Sequence, residues 1–258
     1  MKTLAPIHLK HQRDARMNGV VSTPRILHLH IPKTAGTAFR SAFEKASNGT
    51  LRIFPYRDER QYTGIDANKY DFFSGHFGFK TAARLGGQII TVLRNPVDRF
   101  VSVYYFWRQL SESGAEKNQK TMLASKYSLQ EFVKIKDEPT LLEAFYNTMT
   151  WQIAHGTSLV LRRELRDMGK TDEDVFQLAL TNLSGFSLVG VQERLGLFEN
   201  AMERQFSVPL RIRRENVTEA RPAVKDIGIA TIREIQNWSF MDLELYQHAY
   251  KQFAESAT

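Results

Sequence analysis

The residues at 30–37, HIPKTAGT, have the side chains and spacing to bind an anion. They follow a short apolar run and precede a segment, 38–45, that can form a helix. A helix N-terminus at this point would add unpaired N–H groups and partial positive charge. Glycine allows close approach of the backbone, and lysine and threonine supply donors. The residues predicted to hold the anion are Lys33, Thr34, Ala35, Gly36 and Thr37.

A second candidate anion site is the sequence LRNPVDRFVSVYYFWR, which begins at residue 93. Pro96 suits the first turn of a helix, so Arg94 is predicted to end a strand and Ser102 to lie about two turns into the next helix. A guanidinium can donate to two oxygens of one anion. We therefore predict that Arg94 and Ser102 bind one anion together, whereas Arg99 could instead form a structural ion pair with a nearby acid.

Two anion sites at neighbouring strand ends favour a ligand with two separated anionic groups over a magnesium nucleotide. The P-loop of nucleotide hydrolases reads G-x-x-x-x-G-K-[ST], whereas here Lys33 precedes Gly36. The second strand ends in Arg94, where a Walker-B strand would supply a metal-binding carboxylate. Positive side chains are therefore predicted to neutralise the ligand without a metal. Residues 32–37 alone would also fit an ordinary strand-to-helix turn.

Strands and helices must position both loops. Apolar runs such as QIITVL are continuous, as in parallel strands covered on both faces, and they alternate with segments of helical periodicity. The predicted fold class is therefore α/β, with a central, mostly parallel sheet flanked by helices and with ligands at the carboxyl ends of the strands. The predicted strands are Arg25–Ile31, Tyr70–Ser74, Gln88–Leu93 and Ser187–Val191, and the predicted helices are Val97–Leu110, Leu141–Ala154, Asp172–Leu183, Leu197–Phe206 and Asp242–Phe253.

Two polar segments lack this periodicity. Residues 111–126 are predicted to form a solvated surface loop after a long helix. Residues 211–222 are basic and rich in turn formers. They fit a loop that closes over an anionic ligand and equally an ordinary charged surface.

Composition limits the class of protein. The 258 residues suit one domain, and 42% hydrophobic content with 8 prolines is typical of a globular chain. The absence of cysteine excludes disulfides, thiolate zinc sites and cysteine nucleophiles. Since the chain shows no signal peptide and no run of ~20 apolar residues, we predict a cytoplasmic protein without a transmembrane segment. A net charge of +7 favours anionic partners; we predict no nucleic acid among them and leave peripheral membrane contact open.

The two loops together give the chain a specific resemblance. IPKTAGT, followed at residue 93 by LRNPVDRFVSVYY, resembles the two cofactor signatures of sulfotransferases that use 3'-phosphoadenosine-5'-phosphosulfate (PAPS). The resemblance is in particular to the branch that includes heparan-sulfate 2-O-sulfotransferase and many bacterial carbohydrate sulfotransferases. Weaker resemblances occur at GHFGF (75–79), VGVQERLGLFENAM (189–202), ENVTEARP (215–222) and DLELYQHAYKQF (242–253).

This resemblance implies a P-loop-kinase-like α/β fold over residues 25–258, preceded by an N-terminal extension at 1–24. It implies PAPS as the sulfuryl donor and no metal. The 5'-phosphosulfate would be held by Lys33, Thr34, Ala35, Gly36 and Thr37, and the 3'-phosphate by Arg94 and Ser102.

Sulfuryl transfer to a hydroxyl needs positive charge at the leaving oxygen and a base for the acceptor proton. Lys33 is predicted to supply the charge. His76 is predicted to be the base, because GHFGF resembles the segment with the proposed catalytic histidine in the 2-O-sulfotransferase branch and two glycines could open space for an acceptor. Without the resemblance, a hydrogen-bonded structural histidine would be the simpler interpretation. An unperturbed histidine titrates near ~6.5, so its neutral form is abundant in cells.

The other histidines have alternative interpretations. His28 and His30 alternate along the first strand and share a face, so they could form part of a metal site, although no third ligand lies nearby. We expect His30 to pack against or orient the loop instead. His155 ends a helix that could line the acceptor site or simply belong to the core.

The sequence therefore predicts a metal-independent, PAPS-dependent sulfotransferase acting on a hydroxyl of a carbohydrate or glycolipid, the acceptor being implied by the resemblance alone. The sequence leaves two alternative functions open. A nucleotide kinase or hydrolase of related fold would require magnesium, and a non-catalytic module for anionic glycans would require no catalytic Lys33 or His76.

Overall fold

A computed structural model of the protein describes residues 25–213 and 221–255. Over these residues the strands are β1 (Ile26–Leu29), β2 (Arg57–Asp58), β3 (Phe72–His76), β4 (Gln88–Leu93) and β5 (Leu188–Val191). They form a five-stranded sheet in the order β2-β3-β1-β4-β5, and every neighbouring pair is parallel. The predicted α/β class with a parallel central sheet is confirmed.

Helices flank this sheet. Within the described residues they are α1 (Gly36–Ser47), α2 (Phe79–Leu85), α3 (Pro96–Glu112), α4 (Gln119–Lys126), α5 (Leu129–Phe132), α6 (Pro139–Phe145), α7 (Thr148–Ala154), α8 (Leu159–Asp167), α9 (Asp172–Ser184), α10 (Leu195–Phe206), α11 (Ile229–Trp238) and α12 (Phe240–Glu255). Among them, no helix is both long and apolar enough to cross a membrane.

β1 lies at the centre of the sheet and places the first loop. All four of its residues are buried between β3 and β4. After β1 the chain continues to β2, on the side of the sheet where β3 lies. After β4 it continues to β5, on the opposite side, so the two connections diverge between β1 and β4. Ligands of open parallel sheets bind in the crevice at such a point. Both predicted anion-binding loops begin there.

The third strand differs from the prediction. It runs to His76, two residues beyond the predicted end at Ser74, because β2 pairs with its last two residues. β2 has only two residues, both exposed, so no hydrophobic pattern marks it. As a result His76 lies inside the sheet, directly beside Asp58, rather than in a loop after it.

The predicted helix Leu141–Ala154 was wrong, because it is divided into α6 and α7. Asn147 breaks it with a left-handed backbone, φ 46°. Its side-chain oxygen accepts hydrogen bonds from the N–H groups of Met241 and Asp242 at the start of α12. Asp242 in turn accepts the N–H groups of Met149 and Thr150 at the start of α7. Two helix N-termini thus cap each other in the core, an interaction that no local pattern reveals.

The predicted loop at 111–126 was also wrong over much of its length. α3 continues to Glu112, and α4 occupies the second half of the segment. Asn118 caps α4, and the buried face of that helix contains only Thr121 and Ala124. Since those residues are small and weakly hydrophobic, the segment shows little helical periodicity.

Candidate active site

The loop after β1 has a constrained backbone. Lys33 and Ala35 adopt left-handed conformations with φ of 68° and 70°, which non-glycine residues rarely occupy. Two hydrogen bonds hold the loop: the Thr34 hydroxyl donates to the carbonyl of Ile31 over 2.8 Å, and the Arg94 guanidinium donates to the carbonyl of Lys33 over 2.8 Å. The hydroxyl of Thr34 therefore serves the loop itself.

The N-terminus of α1 opens from this loop without a side-chain cap. Among the described residues, no acceptor is hydrogen-bonded to the N–H groups of Gly36, Thr37 or Ala38. Free N–H donors at the positive end of a 12-residue helix attract an anion. The loop and helix can therefore bind phosphate or sulfate oxygens through the backbone.

Lys33 adds a full charge beside these donors. Its Nζ lies 4.0 Å from the centre of the Phe106 ring, within the range of a cation–π contact. Burial, together with the nearby charges of Arg94 and Arg221, lowers the pKa of Lys33 to about 8. The ammonium is thus still mostly protonated at neutral pH, and an anion placed among these cations would favour its charged form.

Arg94 follows β4 and uses three of its five N–H groups within the protein. It donates from Nε to the carboxylate of Asp98 over 2.8 Å, in addition to its bond to Lys33. Arg221 donates to the other oxygen of Asp98 over 2.6 Å. One carboxylate therefore holds two guanidinium groups beside the loop, and these hydrogen bonds and charges keep the pKa of Asp98 below its usual value despite burial.

α3 brings Ser102 to the same region. Asn95 caps this helix by accepting the N–H groups of Val97 and Asp98, and Ser102 is buried in its interior-facing side. Arg99, which could have paired with an acid, instead donates to the carbonyl of Ala144 over 2.8 Å. Arg99 is 1% exposed and also donates to the carbonyl of Pro32 over 3.5 Å, so it supports the loop from the core.

His76 is the last residue of β3, and a third of its side-chain surface stays exposed. Burial lowers the pKa of His76 to about 4, although the negative charge of Asp58 opposes that shift. Its Nδ1 lies 3.7 Å from an Asp58 carboxylate oxygen. At neutral pH the imidazole is therefore neutral and able to accept a proton, with a carboxylate close enough to stabilise the resulting charge.

The glycines around His76 do not open space for an acceptor, contrary to the prediction. A Cβ at Gly75 would lie 2.1 Å from the Tyr62 hydroxyl, and one at Gly78 would lie 2.4 Å from Gly156 Cα. Both positions are filled by neighbouring chain. The glycines are needed for close packing that fixes the end of β3.

His28 and His30, which the sequence allowed as part of a metal site, each form a hydrogen bond to a hydroxyl group. His28 and His30 share one face, as predicted, with ring centres 5.4 Å apart. Their Nδ1 atoms are hydrogen-bonded to the hydroxyls of Ser74 and Tyr56. In the part of the chain that the structure describes, no group of three or more His, Asp and Glu residues could hold a metal ion. His155 is hydrogen-bonded to Glu164 over 2.8 Å and does not line the cleft.

His28 should make the fold sensitive to acid. Burial lowers its pKa to about 3, whereas the unfolded chain takes up this proton near ~6.5. Below that pH the unfolded state therefore binds more protons than the native state. Because of His28, the free energy of unfolding should fall by about 1.4 kcal/mol for each unit by which the pH is lowered. His28→Asn should lessen the pH dependence of urea unfolding between about pH 6 and 4.5 by that amount.

A cleft of about 2030 Å³ lies at the carboxyl edge of the sheet. It is bounded by the first loop, the start of α3, the end of β3 and Arg221. Thr34 faces the interior of its loop and is not part of the cleft wall. The predicted site residues that line the cleft are Lys33, Ala35, Gly36, Thr37, His76, Arg94 and Ser102.

The family model described as "Sulfotransferase family" matches residues 20–251. The chain belongs to the sulfotransferase family. Because the match spans nearly the whole chain, the protein is a sulfotransferase enzyme, as predicted. No curated protein matches the chain.

Several residues that line the cleft of this sulfotransferase were not predicted from the sequence. Tyr56 and Glu59 lie around β2, which no pattern marked, and nothing in the sequence distinguished Phe106 from its aromatic neighbours on α3. Glu59 accepts hydrogen bonds from the backbone N–H groups of Gly78 and Thr157, which joins two walls of the cleft. Gln152 could have been noticed as a polar residue within an apolar helix; its amide donates to the carbonyl of His30 over 3.0 Å.

Proposed function

We propose that this sulfotransferase transfers a sulfuryl group from PAPS to a hydroxyl of a carbohydrate or glycolipid. The observation that carries the proposal is a single cleft lined by Lys33, Arg94, Ser102 and His76. Two groups of hydrogen-bond donors for an anion and one neutral base thus line the same cleft. PAPS offers the matching pair of anionic groups, a 5'-phosphosulfate and a 3'-phosphate.

In this proposal the loop after β1 holds the 5'-phosphosulfate. Backbone N–H groups of Gly36, Thr37 and Ala38 donate to its oxygens, and the Lys33 ammonium leaves the Phe106 ring to neutralise it. Bound PAPS supplies a sulfuryl group with a phosphate leaving oxygen. The positive charge of Lys33 then stabilises the negative charge that develops on that oxygen.

The 3'-phosphate is assigned to Arg94 and Ser102, as in the resemblance, and we add Arg221. Asp98 holds both guanidinium groups side by side, which fixes their orientation before the ligand arrives. Arg221 follows the segment 214–220, which lies outside the described residues. Of the interval 211–222, for which a closing loop and an ordinary charged surface fitted equally, Ile212, Arg213 and Arg221 line the cleft.

His76 takes the proton of the acceptor hydroxyl in this proposal. It lies in the wall of the cleft with Asp58 beside it, so the imidazolium formed on proton uptake gains a neighbouring negative charge. The cleft, about 2030 Å³, is larger than the ~300–1,000 Å³ typical of small-ligand pockets. That volume leaves room for a sugar-sized acceptor beside the nucleotide.

The kinase alternative finds no support in Asp98. Asp98 is the acid closest in sequence to the end of that strand, and both its oxygens accept hydrogen bonds from arginines. A magnesium-binding acid would need a free oxygen.

The desulfated product, 3'-phosphoadenosine-5'-phosphate (PAP), should raise the melting temperature more than AMP or ADP, because only PAP fills both anion sites. A ligand at a hundredfold excess over its Kd stabilises the native state by about 2.7 kcal/mol. Ser102→Ala should reduce the advantage of PAP, whereas Ser111→Ala, further along α3, should preserve it. Equal shifts for PAP, AMP and ADP would remove the case for a 3'-phosphate site.

A further inference from the structure

The His30 side chain lies between the anion loop and His76. It follows β1 directly, is 6% exposed, and lines the cleft. Its ring centre is 4.7 Å from that of His76. The amide of Gln152 donates a hydrogen bond to the carbonyl of His30. The backbone of His30 is therefore restrained as well as its side chain.

One edge of the His30 imidazole faces the first residue of α1. A Cβ at Gly36 would lie 1.9 Å from His30 Cδ2 and 2.0 Å from His30 Nε2. The ring therefore fills the space that any side chain at position 36 would need. Since the N–H of Gly36 has no acceptor among the described residues, an anion that takes this N–H would lie beside His30 Nε2.

The opposite ring nitrogen is held by a phenol. His30 Nδ1 lies 2.7 Å from the Tyr56 hydroxyl. Burial, with the positive charges of Arg40 and Lys33 and the neighbouring His76 and His28, keeps the pKa of His30 well below its usual value, so the ring carries one proton. Burial also raises the pKa of the Tyr56 hydroxyl, which keeps its proton.

We propose that Tyr56 donates to His30 Nδ1 and thereby keeps the single imidazole proton on Nε2, where it is donated to the anion bound at residues 33–37. His30 is then a further anion-binding residue of the sulfuryl-donor site, and Tyr56 is a positioning residue that acts through it. A neutral histidine with its proton on Nδ1 would present a lone pair to the anion, which would repel it. This inference rests on the proposed function for the identity of the anion.

His28 provides an internal comparison. It lies on the same strand face, and its Nδ1 is bonded to a hydroxyl, that of Ser74, over 2.9 Å. Its Nε2 is buried without a hydrogen-bond partner among the described residues. Removing the Ser74 hydroxyl therefore changes a hydroxyl–histidine pair that does not border the cleft, which makes Ser74→Ala the matched control for Tyr56→Phe.

Long-range proton–nitrogen NMR spectra at neutral pH distinguish the two neutral tautomers, and His30→Gln assigns the His30 signals by their loss. We expect the proton on His30 Nε2 in the free protein, and a shift of that nitrogen when PAP is added. Tyr56→Phe should mix the tautomers and weaken PAP binding by about tenfold, the loss expected for a hydrogen bond to a charged group. Ser74→Ala should leave PAP affinity unchanged.

The outcomes separate this inference from the proposed function. PAP binding that leaves His30 Nε2 unshifted, or a proton found on Nδ1, would overturn the inference while the sulfotransferase site stands. If PAP did not bind at all, the donor assignment would fail, and titration with inorganic sulfate would decide the inference: a shift at Nε2 supports it, and no shift refutes it. Should Tyr56→Phe not fold, the wild-type spectra alone decide.

Discussion

Replacing His76 with alanine is expected to lower kcat by about 10²–10⁴-fold, the contribution of a positioned acid–base group. The Kd for PAP should stay nearly unchanged, because the proton is taken from the acceptor and not from either phosphate. His155→Ala is the matched control, since His155 is hydrogen-bonded to Glu164 and does not line the cleft. That variant should retain wild-type kcat.

The pH profile gives an independent check on His76. The base must be neutral to accept a proton, so activity is lost as the pH falls through its pKa. Since that pKa is about 4 in the free enzyme, kcat/KM should stay level down to about pH 5.5, below the ~6.5 of an ordinary histidine. Retention of most activity by a folded His76→Ala protein would return His76 to a structural role and make His30 the next candidate.

Lys33→Ala is expected to reduce PAP affinity and turnover together, unlike His76→Ala. The ammonium neutralises the bound anion and also the charge that develops on the leaving oxygen. Loss of one such group costs about 10²–10³-fold in kcat, and loss of a charged hydrogen bond costs about tenfold or more in affinity.

Lys45→Ala is the control for this variant, since Lys45 lies at the opposite end of α1. It should match the wild type in both PAP titration calorimetry and steady-state kinetics. A Lys33→Ala protein that binds PAP normally would show that the loop backbone alone holds the anion, and normal turnover would exclude Lys33 from the chemistry.

The parts of the fold that follow from local pattern were predictable. β4 has the predicted bounds, Gln88–Leu93, because a fully buried parallel strand is a continuous apolar run. The start of α3 at Pro96 follows from the fixed φ of proline. The two loops were recognised because lysine, glycine, arginine and serine in that order carry a specific chemical pattern.

The parts that depend on distant contacts were not predictable. The break at Asn147 results from hydrogen bonds to the start of α12, nearly a hundred residues away in sequence. Tyr56 and Asp58 reach the site through a two-residue exposed strand without a hydrophobic pattern. The sequence identified Arg94, but not that Asp98 and the Lys33 carbonyl engage it, because hydrogen-bond partners depend on tertiary packing.

The most direct test of the central claim is transfer of radiolabelled sulfur from PAPS to a panel of glycans and glycolipids in excess EDTA. The account predicts label on an acceptor hydroxyl, confirmed by mass as one added sulfuryl group, and loss of this signal in His76→Ala. Transfer that requires added magnesium, or PAP binding without transfer to any acceptor in the panel, would contradict it.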